Sequence, residues 1–120
     1  VITQATIMAA RQEILNLHMA ESVENYLVHL INATRRPAKY HKDLAELIEF
    51  GASPRATIAL DRCARAHAWM QGRDFVSPDD VQAVAHDVLR HRLILRFEAE
   101  AHGINSQQVI DKLLAAVPLV

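Results

Sequence analysis

The sequence predicts an all-α fold: a small bundle of about five helices, with room for a minor two-stranded element. Three observations carry this. Hydrophobic residues make up 51% of the 120, yet aromatics only 5%, so the apolar mass is aliphatic and alanine-rich. Such residues lose little in a helix, whereas strands favour β-branched and aromatic side chains. With only three glycines and four prolines, few positions force a helix to break. Finally, apolar residues recur at i, i+3, i+4 and i+7 in several stretches, the spacing of a helix half-buried against a core.

Taken in order, the first helix is expected over residues 6–16, with Ile7, Ala10, Ile14 and Leu15 on one side. It starts almost at residue one, as if the chain continued a larger protein. Leu17-His18-Met19 reads as a short extended link. In the second helix, Val23, Tyr26, Leu27, Leu30, Ile31 and Thr34 follow the helical rule, with Ser22 placed to cap it. Arg36-Pro37 ends it, because the residue before proline is pushed out of the α region. The connection over residues 37–50 holds Leu44, Leu47 and Ile48 at helical spacing, enough for one packed turn.

The third helix has the sharpest start, Gly51-Ala52-Ser53-Pro54-Arg55. Ser53 is placed to accept an N–H of the first turn, and Pro54 loses nothing at the first helical position. Ala56, Ala59, Leu60, Cys63, His67 and Met70 share one broad face, Arg55 and Arg62 another, and Gly72 is a good left-handed terminator. A second start of the same kind follows at Ser77-Pro78-Asp79-Asp80, with two carboxylates at the positive end of the helix dipole. Val81, Val84, Ala85, Val88 and Leu89 form its buried stripe. Leu93-Ile94-Leu95 is helical or extended, and whether it pairs with Leu17–Met19 is left open by periodicity. The last helix begins near Ser106, buries Val109, Ile110, Leu113, Leu114 and Val117, and stops at Pro118.

Thirteen basic and 14 acidic residues leave a net charge of −1, so no general attraction to nucleic acid or anionic lipid is expected. Arg62, Arg65, Arg90 and Arg92 are interleaved with Asp61, Asp79, Asp80 and Asp87, and no aromatic stacking set accompanies them. The lone Cys63 forms no intramolecular disulfide and fits a reducing compartment. No run approaches the ~18 apolar residues of a membrane span, nor does an export signal open the chain; a cytoplasmic location is expected. The glycines Gly51, Gly72 and Gly103 cannot compose a phosphate-binding P-loop. Nucleophile-elbow, HExxH and paired-cysteine signatures are missing too. No catalytic residue and no metal ligand set is expected in this chain; of the seven histidines, His86 and His91 stand ~140° apart around a helix and do not converge.

One position invites a ligand. Arg55 sits in the first turn of a helix whose free N–H groups and dipole favour anions, and its planar fork matches phosphate oxygens. Without an anion, the dipole disfavours an arginine there by a few tenths of a kcal/mol. The bland alternative is a solvated arginine beside a good cap.

Gly51-Ala52-Ser53-Pro54-Arg55-Ala56 resembles the sensor-2 motif of the MoxR family of AAA+ ATPases. The likeness extends through Ala33-Thr34-Arg35, Ala64-Arg65-Ala66, Gly72-Arg73-Asp74-Phe75-Val76, Pro78-Asp79-Asp80-Val81, Asp87-Val88-Leu89-Arg90-His91-Arg92-Leu93 and Leu114-Ala115-Ala116-Val117-Pro118, in the family's order. Residues 37–50 are similar to one subset of the family. The resemblance implies that residues 1–120 are a C-terminal helical lid whose nucleotide-binding core is absent from this chain. It implies ATP as cofactor, shared with that core, and Mg²⁺ held only through the core. Arg55 matches the arginine that reaches the γ-phosphate; Pro54, Ser53, Ala52 and Gly51 match the backbone that sets the helix start against the nucleotide. Arg35, Arg73, His91 and Arg92 match family positions expected to be polar anchors between domains or subunits. Implied partners are the chain's own AAA+ core, a homo-oligomeric ring (generally a hexamer) and a von Willebrand factor A domain protein. The implied activity is chaperone-like remodelling of client proteins driven by ATP hydrolysis. The alternative is a free-standing helical interaction module that never meets nucleotide.

Overall fold

The computed structural model describes residues 2–118. Helix α1 (Gln4–Leu15) begins at Thr3, whose hydroxyl accepts the Thr6 N–H, and none of its residues is buried. Ile7 and Leu15, expected on its inner side, are 45% and 49% exposed. The strand β1 (His18–Met19) leads into α2 (Glu21–Arg35), a fifteen-residue helix with Val23, Tyr26, Leu27, Leu30, Ile31, Ala33 and Thr34 buried. Ser22 does not cap it: the helix starts two residues earlier, after Ala20, without a side-chain cap. It ends before Pro37, as the proline requires.

The connection is more structured than one turn. A 3-10 turn (Pro37–Lys39) precedes α3 (Lys42–Leu47), which buries Leu44 and Leu47, and the strand β2 (Ile48–Phe50) follows. Then come α4 (Arg55–Met70), β3 (Phe75–Val76), α5 (Pro78–Leu89), β4 (Ile94–Leu95), the short α6 (Phe97–Ala101) and α7 (Ser106–Ala116). The all-α class holds, with seven α-helices among the described residues rather than five. The two beyond five are α3, the packed turn expected from Leu44 and Leu47 extended to six residues, and α6, whose five residues are too few for periodicity to define from sequence.

The buried stripe of α4 differs from the expected one. Ala56, Leu60, Ala64 and Ala68 are buried, whereas Cys63 is exposed and Met70 is 70% exposed. Alanine at three of these four positions, which recur every four residues, lets a neighbouring helix approach closely, since the distance between helix axes follows the side chains at the contact. Helix α5 takes that place, and the two make the most extensive helix pairing in the chain. Tyr26 and Leu30 of α2, Leu60 of α4, Leu89 of α5 and Ile110 and Leu113 of α7 meet in the fully buried centre.

Two small sheets tie the segments between helices. Strand β1 runs parallel to β3, His18 opposite Phe75, and β2 runs antiparallel to β4, Ile48 opposite Leu95. Residues 93–97 and 17–19 therefore do not pair with each other; each finds another partner. The radius of gyration, 15.7 Å, exceeds the about 13–14 Å of a compact chain this long, in keeping with a first helix that has no fully buried residue.

Candidate functional site

Helix α4 begins on a lead-in fastened to the last turns of α2. Gly51 lies so close to α2 that an added Cβ would stand 2.1 Å from the Thr34 carbonyl oxygen; this is where glycine is required, for approach rather than for an unusual φ. The buried Ala52 N–H donates to Thr34 Oγ1 at 3.0 Å, and that hydroxyl donates to the Ile31 carbonyl at 2.6 Å. Arg35 Nη1 donates to the Ala52 carbonyl at 3.4 Å. Both polar backbone groups of Ala52 are thus held by consecutive residues of α2. A buried N–H left without an acceptor costs ~1–3 kcal/mol, so Thr34 fixes the register of the segment. Sequence reading counted Thr34 among apolar stripe residues; a hydroxyl completing such a stripe was the available signal.

Beyond this clamp, Ser53, Pro54 and Arg55 are exposed. Ser53 does not cap with its side chain. The helix begins one residue later than expected, at Arg55, with Pro54 in the flanking position. The Ala56 and Thr57 N–H groups turn back to the Ser53 and Pro54 carbonyls at 2.9 and 3.1 Å, and proline has no N–H to offer. Free amides therefore contribute less to anion attraction here than the sequence suggested. The guanidinium of Arg55 makes no hydrogen bond or ion pair with the described residues.

At the far end of α4, Gly72 has φ +78° and the Arg73 N–H reaches back to the Ala68 carbonyl at 3.1 Å, the left-handed helix stop expected of glycine. Immediately after it lies a buried carboxylate. Asp80 of α5, fully buried, accepts from His67 Nδ1 at 2.7 Å and from Arg73 Nη2 on one oxygen. Its other oxygen accepts from the Ser77 N–H at 2.8 Å and hydroxyl at 3.1 Å. An ionised carboxylate only accepts, so His67 carries its proton on Nδ1. Burial, the largest influence, would raise this carboxyl's pKa. The Ser77 N–H, His67, the Ser77 hydroxyl and the Arg73 charge together outweigh it and hold the group below the usual range. Arg73, expected to be an anchor toward another domain or subunit, thus binds inside this chain. So do Arg35 and Arg92, the latter on the Val88 carbonyl at 2.6 Å, while His91 is exposed.

The five residues expected at the site are therefore contiguous and divide into a clamp (Gly51, Ala52) and an exposed tip (Ser53, Pro54, Arg55). No group of three or more His, Cys, Asp or Glu side chains among the described residues is arranged to hold a metal. No helix among them is long and apolar enough to cross a membrane.

Residues 41–113, more than half of the chain, match the family model of the AAA lid domain. The chain belongs to the AAA lid domain family. The lid is 35% identical over 120 residues to Chaperone MoxR1 of Mycobacterium tuberculosis, covering 99% of this chain and 32% of that protein. To Protein MoxR of Methylorubrum extorquens it is 34% identical over 117 residues, covering 93% and 33%. It also superposes with a TM-score of 0.93, at 42% identity, on the crystal structure of a candidate ATPase from Cytophaga hutchinsonii, over 98% of the lid and 36% of that chain. The likeness to MoxR ATPases read from the motifs is borne out. The lid spans about a third of the length of the curated relatives it matches.

Proposed function

We propose that this lid serves a MoxR-type AAA+ ATPase by placing Arg55 on the γ-phosphate of ATP bound between the lid and a nucleotide-binding core. The observation that carries the reading is the exposed Arg55, without a partner among the described residues, at the end of a lead-in clamped to α2. A guanidinium held this way suits phosphate, because its fork donates to two oxygens and nothing among the described residues competes for it. ATP supplies the phosphoryl group; the lid's residues only bind and orient. Gly51 and Ala52 fix where α4 starts, Ser53 and Pro54 set its angle, and Arg55 makes the charge-assisted contact, worth ~1.5–3 kcal/mol. That contact is lost with the γ-phosphate, so the two lid orientations change population on hydrolysis by roughly ten- to a hundredfold. Mg²⁺ is held by the core alone. The assembly is a homo-oligomeric ring, generally a hexamer, in the cytoplasm, working with a von Willebrand factor A domain protein to remodel clients.

In the complete protein, Arg55→Ala is expected to slow ATP turnover at least tenfold, a loss of ~1.4 kcal/mol in the transition state, while circular dichroism of the lid is unchanged. A wild-type rate would remove the sensing role. The alternative reading, a helical interaction module without nucleotide, draws on Phe50 and Ile94, which face each other across β2 and β4 and are 61% and 57% exposed. A reading frame running upstream of Val1 with a P-loop favours the ATPase lid; an initiator methionine just before Val1 favours the module.

A further inference from the structure

Helix α1 buries no residue, yet one flank of α4 grips its last turn. Asp61, Arg65 and Trp69 recur every four residues and so share a face of α4. Arg65 Nε donates to both Asp61 oxygens at 3.2 and 3.1 Å. Its Nη1 donates to the Leu17 carbonyl and, at 3.5 Å, to that of Leu15. One turn further, Trp69 Nε1 donates to Glu13 Oε2 at 3.0 Å. The last carbonyls of a helix lack intrahelical partners and carry the negative end of its dipole; the guanidinium aimed by Asp61 reaches one of them, Leu15, and the Leu17 carbonyl of the link that follows α1. With side chains 15% and 31% exposed, Arg65 and Asp61 are shielded better than the surface pairs that contribute little. The two-residue pairing of β1 with β3 completes the attachment.

We propose that the Asp61–Arg65–Trp69 stripe is a latch that makes α1 and α4 move as one body, and that Arg65 is thereby a positioning residue for Arg55. This rests on the sensing role of Arg55. Arg55 and Arg65 are ten residues, about 15 Å, apart on one helix. Because α1 has no fully buried residue to hold it, only the half-buried Ala10 and Ile14, a displacement of α1 reaches α4 chiefly through this polar grip. With the grip cut, α1 turns without carrying Arg55 with it.

The test uses the complete protein with Arg55→Ala, Arg65→Ala, Arg65→Lys, Trp69→Phe and the Arg55→Ala/Arg65→Ala double variant, reading ATP turnover and amide hydrogen exchange. Arg65→Ala is expected to speed exchange over residues 13–18 at least tenfold, with α5 and α7 unchanged. It is also expected to lower kcat at least fivefold with KM for ATP within twofold. Arg65→Lys, which keeps the charge but not the fork, restores less than half of the lost rate. Trp69→Phe, the mildest change, slackens the same amides at least threefold and carries the exchange test if Arg65→Ala does not fold. The double variant is expected to be no more than twofold slower than Arg55→Ala, since a residue acting through Arg55 has nothing left to position. Independent, multiplying losses would overturn the proposal, as would an Arg65→Ala rate equal to wild type beside a slow Arg55→Ala. Faster exchange throughout α5 and α7 would also overturn it, making Arg65 a general stabiliser. A wild-type rate for Arg55→Ala, with residues 13–18 slackened by Arg65→Ala, would sink the sensing role while leaving the latch.

Discussion

A methyl group added at Gly51 would stand 2.1 Å from the Thr34 carbonyl oxygen and 2.6 Å from the Arg35 nitrogen. Both are backbone atoms of a packed helix, so neither yields as a flexible side chain would. Gly51→Ala is therefore expected to destabilise the chain by about 2–3 kcal/mol, the upper part of the range for overpacking a tight site, read as a lower urea midpoint. Thr34→Val tests the other half of the clamp. It keeps the shape but leaves the buried Ala52 N–H without its 3.0 Å acceptor, and an expected cost of ~1–3 kcal/mol follows. Thr34→Ser, which keeps the hydroxyl, should stay nearer wild type. If Gly51→Ala and Thr34→Val both unfold with the wild-type midpoint, the lead-in is not clamped as described. The sequence made Gly51 and Ala52 legible as part of a motif but not their task. A close approach to residues 17 positions earlier leaves no local periodic trace.

Helices α4 and α5 are joined at their near ends by chemistry that the sequence half disclosed. Ser77-Pro78-Asp79-Asp80 announced a helix start, and the start is there, with Asp80 accepting from Ser77. What local pattern could not announce is that Asp80 is fully buried and also receives His67 and Arg73 from the preceding helix and its stop. A carboxylate in the first turn reads as solvated until tertiary packing covers it. The sign of the pH effect follows from its depressed pKa. Folding favours the ionised form, so the stabilisation is fully present above the unfolded value of 3.8 and is lost as pH falls through the lower folded value. Between about pH 5 and pH 2, the wild-type urea midpoint is expected to fall more steeply than that of Asp80→Asn. At neutral pH, Asp80→Asn should be less stable by about 2 kcal/mol, the scale of hydrogen bonds to a charged group. Equal acid sensitivity in the two chains would mean that other carboxylates set the acid limb. Helix α6 was harder to read for a different reason: a helix of five residues shows barely one period, and tertiary contacts decide it.

Across the whole molecule, the long helices were legible because each carries three or more turns of periodic apolar residues, and the two sheets were not because strands of two or three residues carry too little alternation. Packing places the clamp, the tip and the α1 attachment along α2 and α4, so the face of the lid that bears Arg55 is built before any nucleotide arrives. It is nevertheless one side of a site. A micromolar dissociation constant needs about −8.2 kcal/mol. An exposed guanidinium contributes ~1.5–3 kcal/mol to a charge-assisted contact, and a helix start adds ~0.3–1 kcal/mol toward an anion, with two of the first amides already engaged. Those contributions sum to less than half of what micromolar binding demands, before any cost of immobilising ATP. The 120-residue chain alone is therefore expected to bind ATP no more tightly than millimolar in calorimetry, and Arg55→Ala should weaken that binding further, since the guanidinium is its largest contributor. Micromolar binding by the isolated chain would require a nucleotide pocket formed wholly by these helices, and would overturn the division of labour between lid and core.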